Sequence, residues 1–308
     1  MRFSVTYLFK AEVGEFRESG GSDWGVRNEP ATQNLEQTNL ELGELEQLTI
    51  TNDNDINYDQ MTSKEAFRKT WSAKYTLRSH FDGVRSLAFH PSEPVLITAS
   101  EDQTLKMWNL QKTITSKKST QLDVEPVYTF RGHTGPVLCL CVSSTGDYCF
   151  SGGVDGSVRC WTIPPPSVDP YDTYDASVMF NVLDGHTDSV WCLSYNSSRQ
   201  QLLSSSADGT VKLWSPTTPA SPLIATLCEA EEGTPTSCDW VTGDLGHLVV
   251  GFNTAACIIY DAETGSVVTR LDTSQDPVSG QPVGPINSVL SHPTLPLTIT
   301  GKFPILLG

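Results

Sequence analysis

Three segments of this chain repeat one another without a gap, and that repetition limits the possible folds more than any other feature. Trp108, Trp161 and Trp214 each stand 28 positions after His80, His133 and His186, with Asp102, Asp155 and Asp208 each six residues before their tryptophan. A fixed internal period marks supersecondary units that cannot bury a face alone and therefore stack. Inside each unit apolar residues alternate with a period of two, which predicts half-buried strands rather than helices. Innermost strands are expected at Val84 to Phe89, Val137 to Val142 and Val190 to Tyr195. Second strands follow at Pro94 to Ser100, Tyr148 to Gly153 and Gln201 to Ser206, and third strands at Thr104 to Leu110, Ser157 to Ile163 and Thr210 to Ser215. Turns on Asp102, Asp155-Gly156 and Asp208-Gly209 join second to third, as tight hairpins prefer. Fourth strands are expected at Pro126 to Phe130, Val178 to Leu183 and Pro222 to Leu227.

Four antiparallel strands per unit make one blade of a β-propeller, so the fold class is all-β and the units read as WD repeats. The recurring polar residues have a structural use. A buried indole N–H needs an acceptor and a buried imidazole needs a fixed tautomer. A hydroxyl stands four residues before each aspartate, at Thr98, Ser151 and Ser204, and can join the two rings. The expected relays are therefore His80, Thr98, Asp102 and Trp108; His133, Ser151, Asp155 and Trp161; and His186, Ser204, Asp208 and Trp214. A hydrolase needs one exposed nucleophile with an oxyanion hole rather than three copies of a buried relay.

The pattern then decays. Tyr260-Asp261 takes the Trp-Asp place of a fourth unit, but Thr254 stands where the aspartate belongs and Glu232 where the histidine belongs. Its strands are expected at Thr236 to Val241, His247 to Phe252, Ala256 to Asp261 and Val267 to Leu271, held by packing without a relay. Ser291-His292-Pro293 through Thr300 repeats the first half of a unit, and Lys302 to Gly308 departs from it. Residues 71–301 are thus expected to form four blades and two strands of a fifth, an open arc with unpaired ladder groups at Ile286 to Leu290 and Leu297 to Thr300. Residues 302–308 form a tail outside the pattern. Residues 1–70 show no strand repeat and carry 7 Lys/Arg against 13 Asp/Glu, which suits a mostly disordered acidic linker. Leu35, Leu42, Leu45 and Leu48 allow a short helix within it.

Charge narrows the partners. With 20 basic and 36 acidic residues the net charge is −16, which repels nucleic acid and anionic lipid. No apolar run is long enough for a membrane span or a good signal peptide, so the expected location is the cytoplasm, peripheral to membranes only through partners. There the eight cysteines are thiols, read as small buried hydrophobes, and none forms a CxxC pair. No P-loop, HExxH or GxSxG occurs, so neither cofactor nor metal is expected and an enzyme framed on the propeller is the weaker alternative.

Two inserts lengthen the repeat to 53 residues, the distance from His80 to His133 and from His133 to His186. Gln111 to Glu125 is polar. The second carries Pro164-Pro165-Pro166 and then Asp169, Pro170, Tyr171, Asp172, Tyr174 and Asp175, an acidic and tyrosine-rich surface loop that is a candidate partner contact.

These inserts and the residues around the repeats resemble the striatin family. The likeness is carried by Gly43-Glu44-Leu45, Arg68-Lys69-Thr70-Trp71, Tyr75 through Gly83, Leu87 through Pro91, and Thr98 through Asp102. It continues in Trp108 through Lys112, Leu122 through Pro126, Val168 through Asp172, and Ser206 through Thr210, covering about residues 42 to 301. The resemblance implies a seven-bladed propeller and a regulatory scaffold of protein phosphatase 2A in a phosphatase–kinase assembly. Its implied partners are phosphatase 2A components, germinal-centre kinases, a Mob-family protein and a striatin-interacting protein. The family's coiled coil, calmodulin-binding segment and caveolin-binding segment have no counterpart before Trp71, so these are not carried over. A truncated form that is inactive or dominant-negative is the other expectation.

Overall fold

In the computed structural model the described residues are 2–7, 77–111, 125–171, 174–218, 220–228, 230–241, 246–272, 284–295 and 297–302. The possible leucine helix, most of the first insert, Asp172 and residues 303–308 lie outside them.

Four four-stranded antiparallel sheets follow one another along the chain. After an N-terminal strand β1 (Arg2–Tyr7), the first blade is β2 (Val84–Phe89), β3 (Val95–Ser100), β4 (Thr104–Asn109) and β5 (Tyr128–Arg131). The second is β6 (Val137–Val142), β7 (Tyr148–Gly153), β8 (Val158–Thr162) and β9 (Met179–Leu183). The third is β10 (Val190–Asn196), β11 (Gln201–Ser206), β12 (Thr210–Trp214) and β13 (Leu223–Cys228). The fourth is β14 (Pro235–Trp240), β15 (His247–Phe252), β16 (Ala256–Asp261) and β17 (Val267–Asp272). The fold is a WD β-propeller built of such blades. Strands β3, β5 and β13 start after Pro94, Pro126 and Pro222 rather than on them, whereas β14 starts on Pro235, one residue before the expected Thr236, the first place in a strand being one that proline tolerates.

The fifth sheet departs from the expected two strands. It has the order β1-β19-β18, with β18 (Ile286–Ser291) and β19 (Leu297–Lys302) joined by β1. Strand β1 pairs antiparallel with β19 from Arg2 opposite Lys302 to Tyr7 opposite Leu297. A segment from the region read as strandless linker thus occupies the third-strand place, and the outer ladder of β19 is paired rather than open. An unpaired strand edge attracts any complementary strand, and the nearest supply here is the chain itself. Ile286 and Val289 are buried against Val249, Cys257 and Ile259 of the fourth blade rather than left as an apolar face.

The innermost strands β2, β6, β10, β14 and β18 pack side by side in chain order. Each skips one residue in its pairing with the second strand, at Arg85, Leu138, Trp191, Thr236 and Asn287. Such a bulge raises the local twist and turns one side chain out of the ladder. Second strands are sandwiched between blades, and β3 is buried at every position. This explains their small residues. Ala99, Gly152, Ser205 and Gly251 hold equivalent places, and a Cβ at Gly152 would come within 2.7 Å of Val190 Cγ1 and 2.9 Å of Cys139 Sγ. At Gly251 it would come within 2.5 Å of Val289 Cγ2. The first blade lacks such cover on β2, where Val84, Leu87 and Phe89 are exposed while Val137 and Leu140 on β6 are buried.

Gly152→Val should therefore lower stability by about 1–3 kcal/mol through overpacking between the second and third blades. Urea melts of the two proteins check this; an unchanged midpoint would mean that the blades separate there at no cost.

Candidate functional site

The relay residues come together in all three complete repeats. In the first, His80 Nδ1 is 2.8 Å from Asp102 Oδ2, His80 Nε2 is 2.8 Å from Thr98 Oγ1, and Trp108 Nε1 donates to Thr98 Oγ1 at 2.9 Å. In the second, His133 Nδ1 lies 3.0 Å from Asp155 Oδ2, and Ser151 Oγ is 2.8 Å from both His133 Nε2 and Trp161 Nε1. In the third, His186 Nδ1 is 2.8 Å from Asp208 Oδ2, and Ser204 Oγ is 2.7 Å from His186 Nε2 and from Trp214 Nε1. These distances fix the protons. A carboxylate only accepts, so Nδ1 carries the hydrogen and donates to it; Nε2 then accepts from the hydroxyl, whose oxygen accepts from the indole.

Each aspartate also binds the polypeptide on both sides. Asp102 accepts from the Phe81 N–H at 3.0 Å, the Thr104 N–H at 3.0 Å and the Thr104 hydroxyl at 2.6 Å. Asp155 and Asp208 repeat this with Thr134 and Ser157, and with Thr187 and Thr210. The carboxylate thereby ties the loop entering each blade to the turn between its second and third strands. Burial opposes ionisation of Asp102, but hydrogen bonds from Thr104, His80 and the Phe81 N–H outweigh it and hold the carboxyl at about 2. Asp208 is likewise held at about 2, burial being outweighed by Thr210, His186 and the Thr187 N–H, and Asp155 is lowered with His133 as its main partner against burial. Burial lowers His186 despite the carboxylate beside it. Ser151 and Ser204 are fully buried and their oxygens already committed, so no substrate reaches them.

The fourth blade substitutes other bonds. The Thr254 hydroxyl donates to the Glu232 carbonyl at 2.7 Å, Arg270 Nη1 pairs with Glu232 Oε1 at 2.6 Å, and the Thr234 N–H donates to Asn253 Oδ1 at 3.0 Å. The loop-to-turn tie thus survives with new residues. A further network escaped sequence reasoning. Half-buried Asp239 on β14 accepts from the Ser194 hydroxyl on β10 and from the Ser291 N–H on β18, each at 2.7 Å. Three blades meet on one carboxyl group, whose proton affinity is raised by that burial. Nothing in the repeat flags Asp239, because no other unit has an aspartate there.

The second insert does not hang free. Tyr174 stacks on Tyr128 of β5 with ring centroids 6.2 Å apart, and its hydroxyl donates to the Arg131 carbonyl at 2.8 Å. The Tyr128 hydroxyl donates in return to the Asp175 carbonyl at 3.1 Å. Burial, with Tyr174 and Asp175 beside it, pushes the Tyr128 phenol up to about 12. Asp175 also caps a short 3-10 turn over Ala176–Val178. Asp169 accepts from the Tyr171 N–H at 3.0 Å, leaving the Tyr171 ring 85% exposed. Val127, Tyr128, Arg131, Val168, Pro170 and Tyr174 line a cleft of about 160 Å³ between insert and blade. It joins apolar and aromatic walls to a guanidinium and the Asp169 carboxylate. Among the described residues no group of three or more His, Cys, Asp or Glu is placed to hold a metal ion, and no helix is long and apolar enough to cross a membrane.

Residues 71–109, 124–162 and 178–215 match the WD40 family, described as a WD domain, G-beta repeat. Striatin-3 of Homo sapiens is 52% identical over 292 residues, 94% of this chain and 36% of that protein. The chain is a striatin relative. Striatin of Mus musculus is 53% identical over 266 residues, 86% of this chain, and striatin-4 of Homo sapiens 49% identical over 262 residues, 85% of it. The striatin-like chain spans about a third of the length of the curated relatives it matches.

Replacing Trp161 by Phe leaves the buried Ser151 oxygen without its donor and should cost about 1–3 kcal/mol, measured by urea unfolding; a change below a few tenths would show that the indole bond contributes nothing. Acid should weaken the fold. The aspartates are held below their unfolded values, so their stabilisation is present above about pH 4 and is lost as pH falls toward their folded values. His186 acts in the same direction, since a lowered histidine keeps its contribution above about pH 6.5 and loses it below. The urea midpoint should fall between about pH 7 and pH 3, and Asp208→Asn should lower it at neutral pH while flattening its acid limb.

Proposed function

We propose that this striatin-like propeller segment is a non-catalytic, protein-binding scaffold that serves a phosphatase 2A and kinase assembly. The observation that carries this reading is identity of about half over 94% of the chain with striatin-3, a span that takes in the inserts as well as the repeats. The blades supply a rigid frame, and their polar constellations are spent inside it. Recognition is left to the loops. The insert from Asp169 to Asp175 is the contact favoured here, because Tyr174 anchors it to β5 while Tyr171 stands in solvent. Aromatic side chains held at low conformational cost are favoured anchors of protein interfaces. Phosphatase 2A components, germinal-centre kinases, a Mob-family protein and a striatin-interacting protein are the proposed partners, met in the cytoplasm.

The test is affinity capture from cell extract with the chain as it stands and with residues 169–175 replaced by a glycine–serine linker. The intact chain should recover phosphatase or kinase components. The variant should lose at least one of them while melting within a few degrees of the parent, since a surface loop contributes little to the core. Failure of the intact chain to capture any of these, under conditions where a longer striatin does, removes the scaffold reading. Equal capture by both forms removes the insert from it.

A further inference from the structure

One buried hydroxyl in the fifth sheet holds the place of a relay hydroxyl without its tryptophan. Thr300 on β19 stands opposite Ser4, as Thr98, Ser151 and Ser204 stand opposite Lys106, Arg159 and Lys212. Each of those three hydroxyls receives an indole N–H from the tryptophan two residues further along the third strand. Thr300 is 1% exposed, and its Oγ1 has no hydrogen-bond partner among the described residues. A buried hydroxyl left in that state costs free energy. The fourth blade avoids the cost, with Val250 in the hydroxyl place and Tyr260 in that of the tryptophan.

The missing indole also has a seat. Trp161 packs edge-on to Phe130 of the preceding blade's fourth strand, with ring centroids 5.5 Å apart. Trp214 shares a cluster with Leu183 in the same way, and Tyr260 with Leu227. Leu271 on β17 has the place that Phe130, Leu183 and Leu227 have on their own fourth strands, and it is only half-buried. Strand β1 is a poor match to this socket. Its Thr6 stands opposite Thr298, at the register of the aromatic residue, and its Arg2 stands opposite Lys302. Like charges directly opposite each other destabilise a sheet.

We propose that the third-strand place of the fifth sheet is a strand-acceptor site for a partner protein, with β1 as an exchangeable occupant. The ligand is an extended segment reading apolar, any residue, apolar, tryptophan, as Val211-Lys212-Leu213-Trp214 does in the third blade. Laid antiparallel along β19 in the register of the complete blades, its tryptophan falls opposite Thr298, rests on Leu271 and donates its indole N–H to Thr300 Oγ1. Main-chain bonds along the edge give such strand addition its affinity, and the side-chain pockets give it specificity. The second insert is no part of this site, so the two readings stand or fall separately.

A fluorescein-labelled peptide of residues 208–215, the chain's own third strand from the third blade, is titrated into the full chain and followed by fluorescence anisotropy. Of two neighbouring residues in β1 one gives its N–H to β19, so the double change Ser4→Pro with Val5→Pro removes a ladder bond in either case. That chain should bind the peptide about tenfold more tightly than the parent, because β1 competes from within the molecule. A peptide with Trp214→Phe keeps an aromatic ring without the N–H and should bind about tenfold more weakly. Thr300→Val should bind both peptides alike. A folded double-proline chain that does not bind, equal affinity for the two peptides where Thr300 is kept, or a tryptophan preference that survives Thr300→Val overturns the proposal. The parent and Thr300→Val chains make the peptide comparison with β1 unaltered, so a double-proline chain that fails to fold does not disable the test.

Discussion

Each complete repeat turns on one buried hydroxyl. Thr98, Ser151 and Ser204 accept from a tryptophan on the third strand and donate to a histidine on the loop before the first strand. An oxygen in the interior without such partners costs more than the bonds gain, so the arrangement is nearly all or none. The histidine orientation follows from it, and the aspartate from the histidine. The loop and turn that the aspartate joins lie side by side just beyond the last pair of the first and second strands, where backbone bonds such as Glu101 N–H to the Gly83 carbonyl also hold them. One hydroxyl thereby links the histidine of each entry loop to the tryptophan 28 positions later, and losing it would leave that loop to its backbone bonds and to the aspartate alone.

Stacking the blades imposes a second condition, at right angles to the first. Second strands are covered on both faces, so the residue facing the next blade's first strand must be small, and Ala99, Gly152, Ser205 and Gly251 meet that need. Gly152 and Gly251 give the closest approach, where a methyl group would collide with Val190 and Val289. The bulge in every first strand serves the same junction, because added twist lets one strand lie along its own sheet and against the neighbouring blade. Asp239 then bonds the first strands of three successive blades through Ser194 and Ser291. The interface is apolar in its bulk and directional at one half-buried carboxyl group.

What the sequence made legible follows from what repeats. Strand positions in the four blades, the relay members and the eroded fourth unit were readable because period and spacing recur, and local alternation determines strand faces. Arg2–Tyr7 was not readable as a strand, since its partner is Leu297–Lys302 at the far end of the chain and pairing over such a separation leaves no local pattern. The bulges were hidden for a related reason. Val84 through Phe89 reads Val-Arg-Ser-Leu-Ala-Phe, an order that does not by itself mark Arg85 as the residue skipped in the pairing. Tyr174 was read as part of a solvated loop, and its stacking on Tyr128 depends on how the second blade's insert lies across the first. The bonds replacing the relay in the fourth blade use Glu232 through both its carbonyl and its side chain, and a main-chain acceptor has no sequence signature.

These features also make the blades unequal. The second and third carry a full relay between neighbours on both sides, whereas the fourth relies on an exposed Arg270–Glu232 pair and a threonine-to-carbonyl bond for the same tie. Exposed ion pairs contribute at most about 1 kcal/mol, so the entry loop of the fourth blade is held more weakly than those before it. The fifth sheet depends on a strand from the other end of the chain, so its pairing carries the entropy cost of closing a long loop. Local opening begins where few buried contacts have to be broken. The core of the fourth blade, with Leu248, Val250, Phe252, Ile258 and Tyr260 buried, does not meet that condition, so its weakness is confined to the entry loop.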